Sequence, residues 1–263
     1  MIKIIGILNL TPDSFYAPSR TVASEVIPAA RKMLEEGAWG IDLGAVSTRP
    51  GSTPVPEDEE WARLSPALEL IRKELPDVRF SVDTYRSSIV RKVYDMMGPF
   101  IVNDVSAGAM DPEMLTTVGE LGLPYIAMHL HGAPSSPVLS PDPIVEDVLC
   151  YFNEFAAKAA DAGIQNWILD PGFGFSKTIE QNWELLYGMG ALKVFCRPIL
   201  AGVSRKSMIW KRFGLTPEEA LPSTQAAHLI ALQQGAAYLR VHDVAEAVQT
   251  VAIFEDTAPG GVL

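Results

Sequence analysis

Cysteine is nearly absent: Cys150 and Cys196 stand far apart, with no CxxC and no Cys/His cluster. A disulfide framework and a cysteine-built zinc site are therefore excluded, and both thiols are expected to be buried and free. Positive charge is also short. Against 32 Asp and Glu there are 21 Lys and Arg, a net charge of -11, which excludes nonspecific attraction to nucleic acid or an anionic membrane. Any anionic ligand must be met by a few local cations. Nor is there an apolar run of membrane length. The first, Met1-Ile-Lys-Ile-Ile-Gly-Ile-Leu8, breaks at Asn9 and Thr11-Pro12-Asp13, about a third of the length of a spanning helix, and no small-residue cleavage site follows it. A cytoplasmic, reducing location is the expectation. Linkers and low-complexity segments are missing too. With 48% hydrophobic and 20% charged residues, disorder, collagen and coiled coil are excluded.

What is present is a repeated layout. Short apolar runs recur at Ile4–Leu8, Gly40–Ala45, Phe80–Val82, Phe100–Val102, Tyr125–Met128, Trp167–Leu169, Ile199–Val203 and Tyr238–Val241. Each leads through a turn into a stretch of helical periodicity: Ala23–Glu36, Glu57–Leu75, Ser87–Met97, Pro112–Leu121, Ile144–Ala162, Ile179–Met189, Pro217–Gln234 and Val244–Phe254. Eight such units of about 33 residues predict an α/β fold, a TIM (β/α)8 barrel forming one domain over 1–263. The near-continuous apolar character of the strands suits a parallel sheet covered by helices. A doubly wound open sheet wants a glycine-rich phosphate turn after its first strand, and Leu8-Asn9-Leu10-Thr11-Pro12-Asp13 is not one.

A barrel builds its active site on the C-terminal ends of its strands. Here the runs end, in order, at Asn9, Ser47-Thr48-Arg49, Asp83-Thr84, Asn103-Asp104, His129 with His131, Asp170, Ser204-Arg205-Lys206-Ser207, and Arg240 with His242-Asp243. Turn formers and helix caps account for short Ser and Asp at such places. They do not account for Arg49, Lys206, Arg240 and His242 meeting on one rim of an acidic protein, which predicts a bound anion. The loops after strands seven and eight commonly hold phosphate in this fold. Arg240 and His242, two apart on an extended segment, should face the same way. Asp83 and Asp170 need donors or countercharge if buried. They pair with Lys206 or accept N–H groups from a planar heterocycle with an amidine-like edge. The cations and the lack of aromatic platforms near the carboxylates argue against a neutral sugar.

Seven strings lie in register on these strand ends: Gly6-Ile-Leu-Asn-Leu-Thr-Pro-Asp-Ser-Phe15, Ser47-Thr-Arg-Pro-Gly51, Ser81-Val-Asp-Thr-Tyr85, Asn103-Asp-Val-Ser-Ala-Gly108, Asp170-Pro-Gly-Phe-Gly-Phe175, Ser204-Arg-Lys-Ser207 and Arg240-Val-His-Asp243. Together, over essentially the whole chain, they resemble the dihydropteroate synthases of the pterin-binding barrel family. The resemblance implies condensation of 6-hydroxymethyl-7,8-dihydropterin diphosphate with 4-aminobenzoate, releasing diphosphate with Mg2+ as cofactor. It implies that Asp83, Asn103, Asp170 and Lys206 hold the pterin and that Asn9 meets the metal. It also implies that Thr48, Arg240 and His242 meet the diphosphate, and that Arg49, Pro50, Phe175 and Ser207 surround aminobenzoate. A homodimer through the later helices is implied as well, and the face Ala226, Leu229, Ile230 and Gln233 is compatible with that or with core packing.

The chain departs from the family's pattern in three places. Tyr16-Ala-Pro-Ser-Arg20 stands where the family usually has Ser-Asp-Gly-Gly, Val46 where it often has Glu, and Ser176 where it often has Gly. The first loop thus lacks flexible glycines and an acid, and Arg20 offers a charge instead. A methyltetrahydrofolate:corrinoid methyltransferase shares the barrel but has no diphosphate to bind, against Ser204-Arg-Lys206 and Arg240-Val-His242. A noncatalytic paralogue should have lost Asn9, Arg240 or His242, and all three are present.

Overall fold

The computed structural model describes residues 1–10, 21–46, 55–134 and 136–257. Eight strands, β1 (Lys3–Asn9), β2 (Gly40–Gly44), β3 (Phe80–Asp83), β4 (Ile101–Asp104), β5 (Tyr125–Met128), β6 (Trp167–Asp170), β7 (Ile199–Ala201) and β8 (Ala236–Val241), pair in parallel and in order. Pairing of β8 with β1 closes the barrel. The intervening helices are α1 (Thr21–Glu35), α2 (Glu57–Glu74), α3 (Ser87–Met97), α4 (Met114–Leu121), α5 (Ile144–Asp161), α6 (Ile179–Gly188), α7 (Ser207–Phe213), α8 (Leu221–Gln233) and α9 (Val244–Thr257). The expected (β/α)8 barrel is therefore the observed architecture.

Local chemistry starts and stops these helices. Glu57, Asp58, Glu59 and Glu60 fill the first turn of α2, where carboxylates offset the exposed N–H groups and the positive end of the helix dipole. Thr178 and Gln181 form a reciprocal capping box at α6, with N–H···O distances of 3.1 and 2.9 Å.

Strand parity divides the side chains into two sets. Ile41, Leu43, Val82, Val102, Ala127, Leu169, Ala201 and Leu239 belong to the large apolar layer that includes the helices. The alternate positions Ile5, Ile126, Ile168, Leu200 and Tyr238 form a separate small core within the barrel. Lys3 closes its lower end, donating to the Tyr238 hydroxyl at 2.9 Å and lying 4.6 Å from the Trp39 ring centre.

Several expectations are corrected. Both cysteines are exposed rather than buried: Cys150 lies off the buried face of α5, and Cys196 sits in the left-handed turn that follows Phe195. Strand seven leads first into α7, a helix absent from the sequence reading, and α8 begins only at Leu221. Its seven residues are too few for helical periodicity to stand out. A hairpin of Gly132–Ala133 with Ser136–Pro137 and a 3-10 turn at Met189–Phe195 were also unanticipated. On α8 the core face is Thr224, Ala227, His228, Ala231 and Leu232, whereas Ala226 and Gln233 are exposed and Leu229 and Ile230 half-buried.

Phe152 on α5 is fully buried, stacked on Trp167 at 6.2 Å and edge-on to Phe155 at 6.4 Å. Phe152→Ala should lower unfolding free energy by about 3–5 kcal/mol through lost transfer and a residual cavity. Urea denaturation monitored by fluorescence checks this; a loss below about 1 kcal/mol would contradict the packing.

Candidate active site

The inward set of side chains turns polar toward the C-terminal end of the barrel. Asp42, in the middle of β2, is fully buried. It accepts from the Ser81 hydroxyl, from Asn103 Nδ2 at 3.2 Å, and from Arg240 Nε at 2.7 Å and Nη2 at 2.6 Å. Arg240 Nη2 also approaches Asp83 Oδ2 at 3.4 Å. Burial works against the charge of Arg240, yet Asp42 and Asp83 outweigh it and raise its pKa. The second inward oxygen, Asp83 Oδ1, is buried without a hydrogen-bond partner among the described residues. Burial pushes the Asp83 carboxyl up to about 8, with Arg240 opposing and Asp42 adding to the rise.

Asp170 closes β6 next to this cluster. Its Oδ1 accepts from the Gly172 N–H at 2.8 Å. Its pKa too is raised, by burial, against the pull of that N–H and of Lys206 and Arg240. The segment that follows explains its glycines. A Cβ on Gly172 (φ +71) would lie 2.1 Å from the His129 carbonyl oxygen, and one on Gly174 (φ +80) would lie 2.8 Å from Lys206 Cδ. Only glycine tolerates both that φ and that approach. The bare backbone lets Lys206 lie across it, with Nζ donating to Phe173 O at 2.5 Å and 4.2 Å above the Phe175 ring centre. Ser207 follows as the first residue of α7.

The remaining predicted residues divide. Asn9 ends β1 with its Oδ1 in the space beside Gly44, where a Cβ would meet that oxygen at 3.4 Å and Asp83 Cβ at 3.8 Å. His242 follows β8, its Nδ1 3.1 Å from Ser204 Oγ. Thr48, Arg49, Pro50 and Arg20 lie outside the described residues. Arg240 points into the barrel, where its guanidinium meets two carboxylates. Arg205, next to Lys206, turns away to pair with Asp243 at 2.8 Å. Asp104 also faces away from the site. It takes the Tyr125 hydroxyl at 2.6 Å and the Ser106 and Gly108 N–H groups at 2.7 and 2.8 Å, while its neighbour Asn103 faces in.

Sequence reading missed Asp42, counted there as part of an apolar run. A single acid inside an otherwise apolar barrel strand was the available signal, since such a position needs a partner. His129 and His131 were recognised only as strand-end residues; both turn to Asp147 on α5, at 3.1 and 2.9 Å.

Buried carboxylates with open acceptor capacity, a carboxamide and a lysine at the C-terminal mouth of a (β/α)8 barrel define a site for a small polar heterocycle. Residues 5–242 match the pterin binding enzyme family, and the chain belongs to it. The dihydropteroate synthase of Escherichia coli strain K12 is 38% identical over 259 residues, covering 97% of this chain and 91% of that protein. The solved dihydropteroate synthase of Xanthomonas albilineans with 4-aminobenzoic acid superposes with a TM-score of 0.89 at 36% identity, covering 98% of this chain and 94% of that one. The Clostridium difficile enzyme, solved in the presence of pteroic acid, gives 0.91 at 33%, covering 98% and 97%.

A ligand donating N–H groups to Asp83 needs its carboxylate. Dihydropterin affinity should therefore rise about tenfold per pH unit below the Asp83 pKa and level off above it, that is, near pH 8. In Asp83→Asn it should be low and flat. Calorimetric titration between about pH 6 and about pH 9 checks this; a pH-independent wild type would contradict it.

Proposed function

We propose that this protein is a dihydropteroate synthase, joining 6-hydroxymethyl-7,8-dihydropterin diphosphate to 4-aminobenzoate in folate biosynthesis. The observation that carries this reading is the buried Asp83 Oδ1, without a partner among the described residues, opposite Asp170, with Asn103 between strands β3 and β5. The aminopyrimidine edge of a pterin offers the adjacent N–H donors such carboxylates lack. Asn103 and Lys206 complete the ring's polar contacts.

Loss of diphosphate leaves a cation on the CH2 group conjugated to the pterin, and the weakly basic arylamine attacks it. No side-chain nucleophile is needed. Asp83 and Asp170 favour the developing positive charge in a site withdrawn from water. Arg240, held in place by Asp42, and His242, beside Ser204, meet the leaving group, with Thr48 from the second loop. Phe175, Ser207, Arg49 and Pro50 form the aminobenzoate side, the subsite that a sulfonamide would occupy.

Mg2+ fits the donor set. Asn9 Oδ1 is a neutral oxygen beside Gly44, on the side of Asp83, and Asn9 would hold the ion as one of the few protein oxygens that Mg2+ takes. Bound there with the substrate, the ion supplies charge neutralisation of the departing diphosphate. A homodimer in the cytoplasm completes the proposal; among the described residues no helix is long and apolar enough to cross a membrane.

Formation of dihydropteroate and diphosphate from the two substrates and Mg2+ tests the reading directly, and absence of both products would sink it. His242→Ala should weaken binding of the pterin diphosphate far more than of bare hydroxymethylpterin, whereas Arg240→Ala should weaken both, because it also strips Asp83 of its countercharge. Equal losses in His242→Ala, measured by calorimetry, would mean that this residue holds the ring or the fold. Asp170→Asn should cost about 2–5 kcal/mol of dihydropterin affinity, because a donor then faces the ring N–H groups; unchanged affinity would remove Asp170 from the site.

A further inference from the structure

The proposed reaction makes no use of His129 and His131. His129 is fully buried and His131 is one-third exposed. From β5 and the residues after it, both direct Nε2 at one carboxylate on the first turns of α5. His129 Nε2 lies 3.1 Å from Asp147 Oδ2, and His131 Nε2 lies 3.0 and 2.9 Å from the two Asp147 oxygens. One ligand atom from each of the three residues falls within 4.8 Å of the others. The two imidazoles stand edge to face at 4.9 Å, and the Tyr151 ring walls them at 4.7 and 6.1 Å.

The surroundings hold the rings in this aim. Lys177 Nζ is 2.9 Å from His129 Nδ1 and donates to the carbonyls of Gly172 and Phe175 at 3.0 and 3.1 Å. That contact turns the other nitrogen, Nε2, toward Asp147. Binding of an ion at Nε2 places the His129 proton on Nδ1, facing Lys177 Nζ. Ser176 Oγ donates to His131 O at 2.8 Å and accepts from His131 N at 3.2 Å, fixing the backbone of the more exposed ligand.

The geometry points to a divalent transition-metal site formed by His129 Nε2, His131 Nε2 and the Asp147 carboxylate. Metal–ligand bonds of about 2.0–2.1 Å in a tetrahedral arrangement put donors about 3.3 Å apart, a few tenths of an ångström more than the 2.9–3.1 Å between each histidine and Asp147, with all three donors within 4.8 Å. A small outward movement of His131 and Asp147 admits the ion. Two imidazoles with one carboxylate suit a borderline cation such as Zn2+ or Co2+ and not Mg2+, which prefers oxygen. Three protein ligands leave a fourth position for water on the exposed side of His131. The bound ion would tie α5 to β5 and, through Ser176, to the segment carrying Phe175.

The test uses the full chain as a C150S/C196S variant, so that its exposed thiols cannot compete, stripped with a chelator and titrated with Co2+ and Zn2+. We expect one equivalent of Co2+ with tetrahedral d–d absorption, displaced by Zn2+, and a thermal midpoint raised by Zn2+. H131Q and D147N should each lower Co2+ affinity by at least about ten-fold, whereas N9A should retain it. Circular dichroism of the metal-free variants confirms that they are folded, and His131, being partly exposed, is the variant least dependent on packing. Absence of the tetrahedral spectrum, or the same Co2+ affinity in folded H131Q as in the parent, would overturn the site and leave Asp147 as a hydrogen-bond acceptor for two imidazoles.

Discussion

Arg240 reaches across the inside of the barrel from β8 to Asp42 on β2 and Asp83 on β3. Two carboxylates this close in a dry interior repel one another and lose their hydration, and one guanidinium answers both costs. Buried ion pairs of this kind are weak contributors to net stability, because desolvation offsets most of the attraction. Their placement here therefore makes most sense as site electrostatics. Strands β8, β1, β2 and β3 are consecutive in the closed sheet, so the same contact fixes the relative position of the carboxylates and of the cation nearest the proposed leaving group.

The cluster also leaves capacity unfilled. Asp42 is saturated by Ser81, Asn103 and Arg240, while Asp83 keeps a buried oxygen without a partner among the described residues. A buried orphan acceptor is costly in a finished core and useful in a site that a ligand completes. Neighbouring polar residues on the same strand show how narrow the geometric choice is. Asn103 enters the site, and Asp104, one residue on, ties down a loop behind the sheet. A period of two decides between them.

Legibility followed the range of the interactions involved. The barrel was readable because each unit repeats a local pattern, an apolar run and then an amphipathic stretch, and eight repeats reinforce one another. Helix α7 and the hairpin at Gly132–Pro137 were too short to carry a period. Asp83, Asn103, Asp170 and Lys206 were readable as polar residues at the ends of apolar runs, aided by family resemblance. Asp42 was not, because a carboxylate within a strand reads as a tolerated exception until its partners, 39, 61 and 198 residues away in the chain, are seen around it. The exposure of Cys150 and Cys196 escaped for a similar reason, since the side of a helix or turn that a small residue occupies depends on what packs against it.

By itself the amino-acid sequence determined the order of elements, the parallel barrel, the acidic surface that leaves few cations to meet an anion, and the family to which the chain belongs. These rest on composition, on periods of a few residues and on contiguous motifs, all carried by neighbours along the chain. Tertiary structure alone decided that Arg240 is shared by Asp42 and Asp83, that Asp83 and not Asp42 keeps an open oxygen, and that His129 and His131 converge on Asp147 rather than on the barrel mouth. Each of those outcomes depends on which way a side chain points once the sheet has closed, and on partners brought together only by that closure.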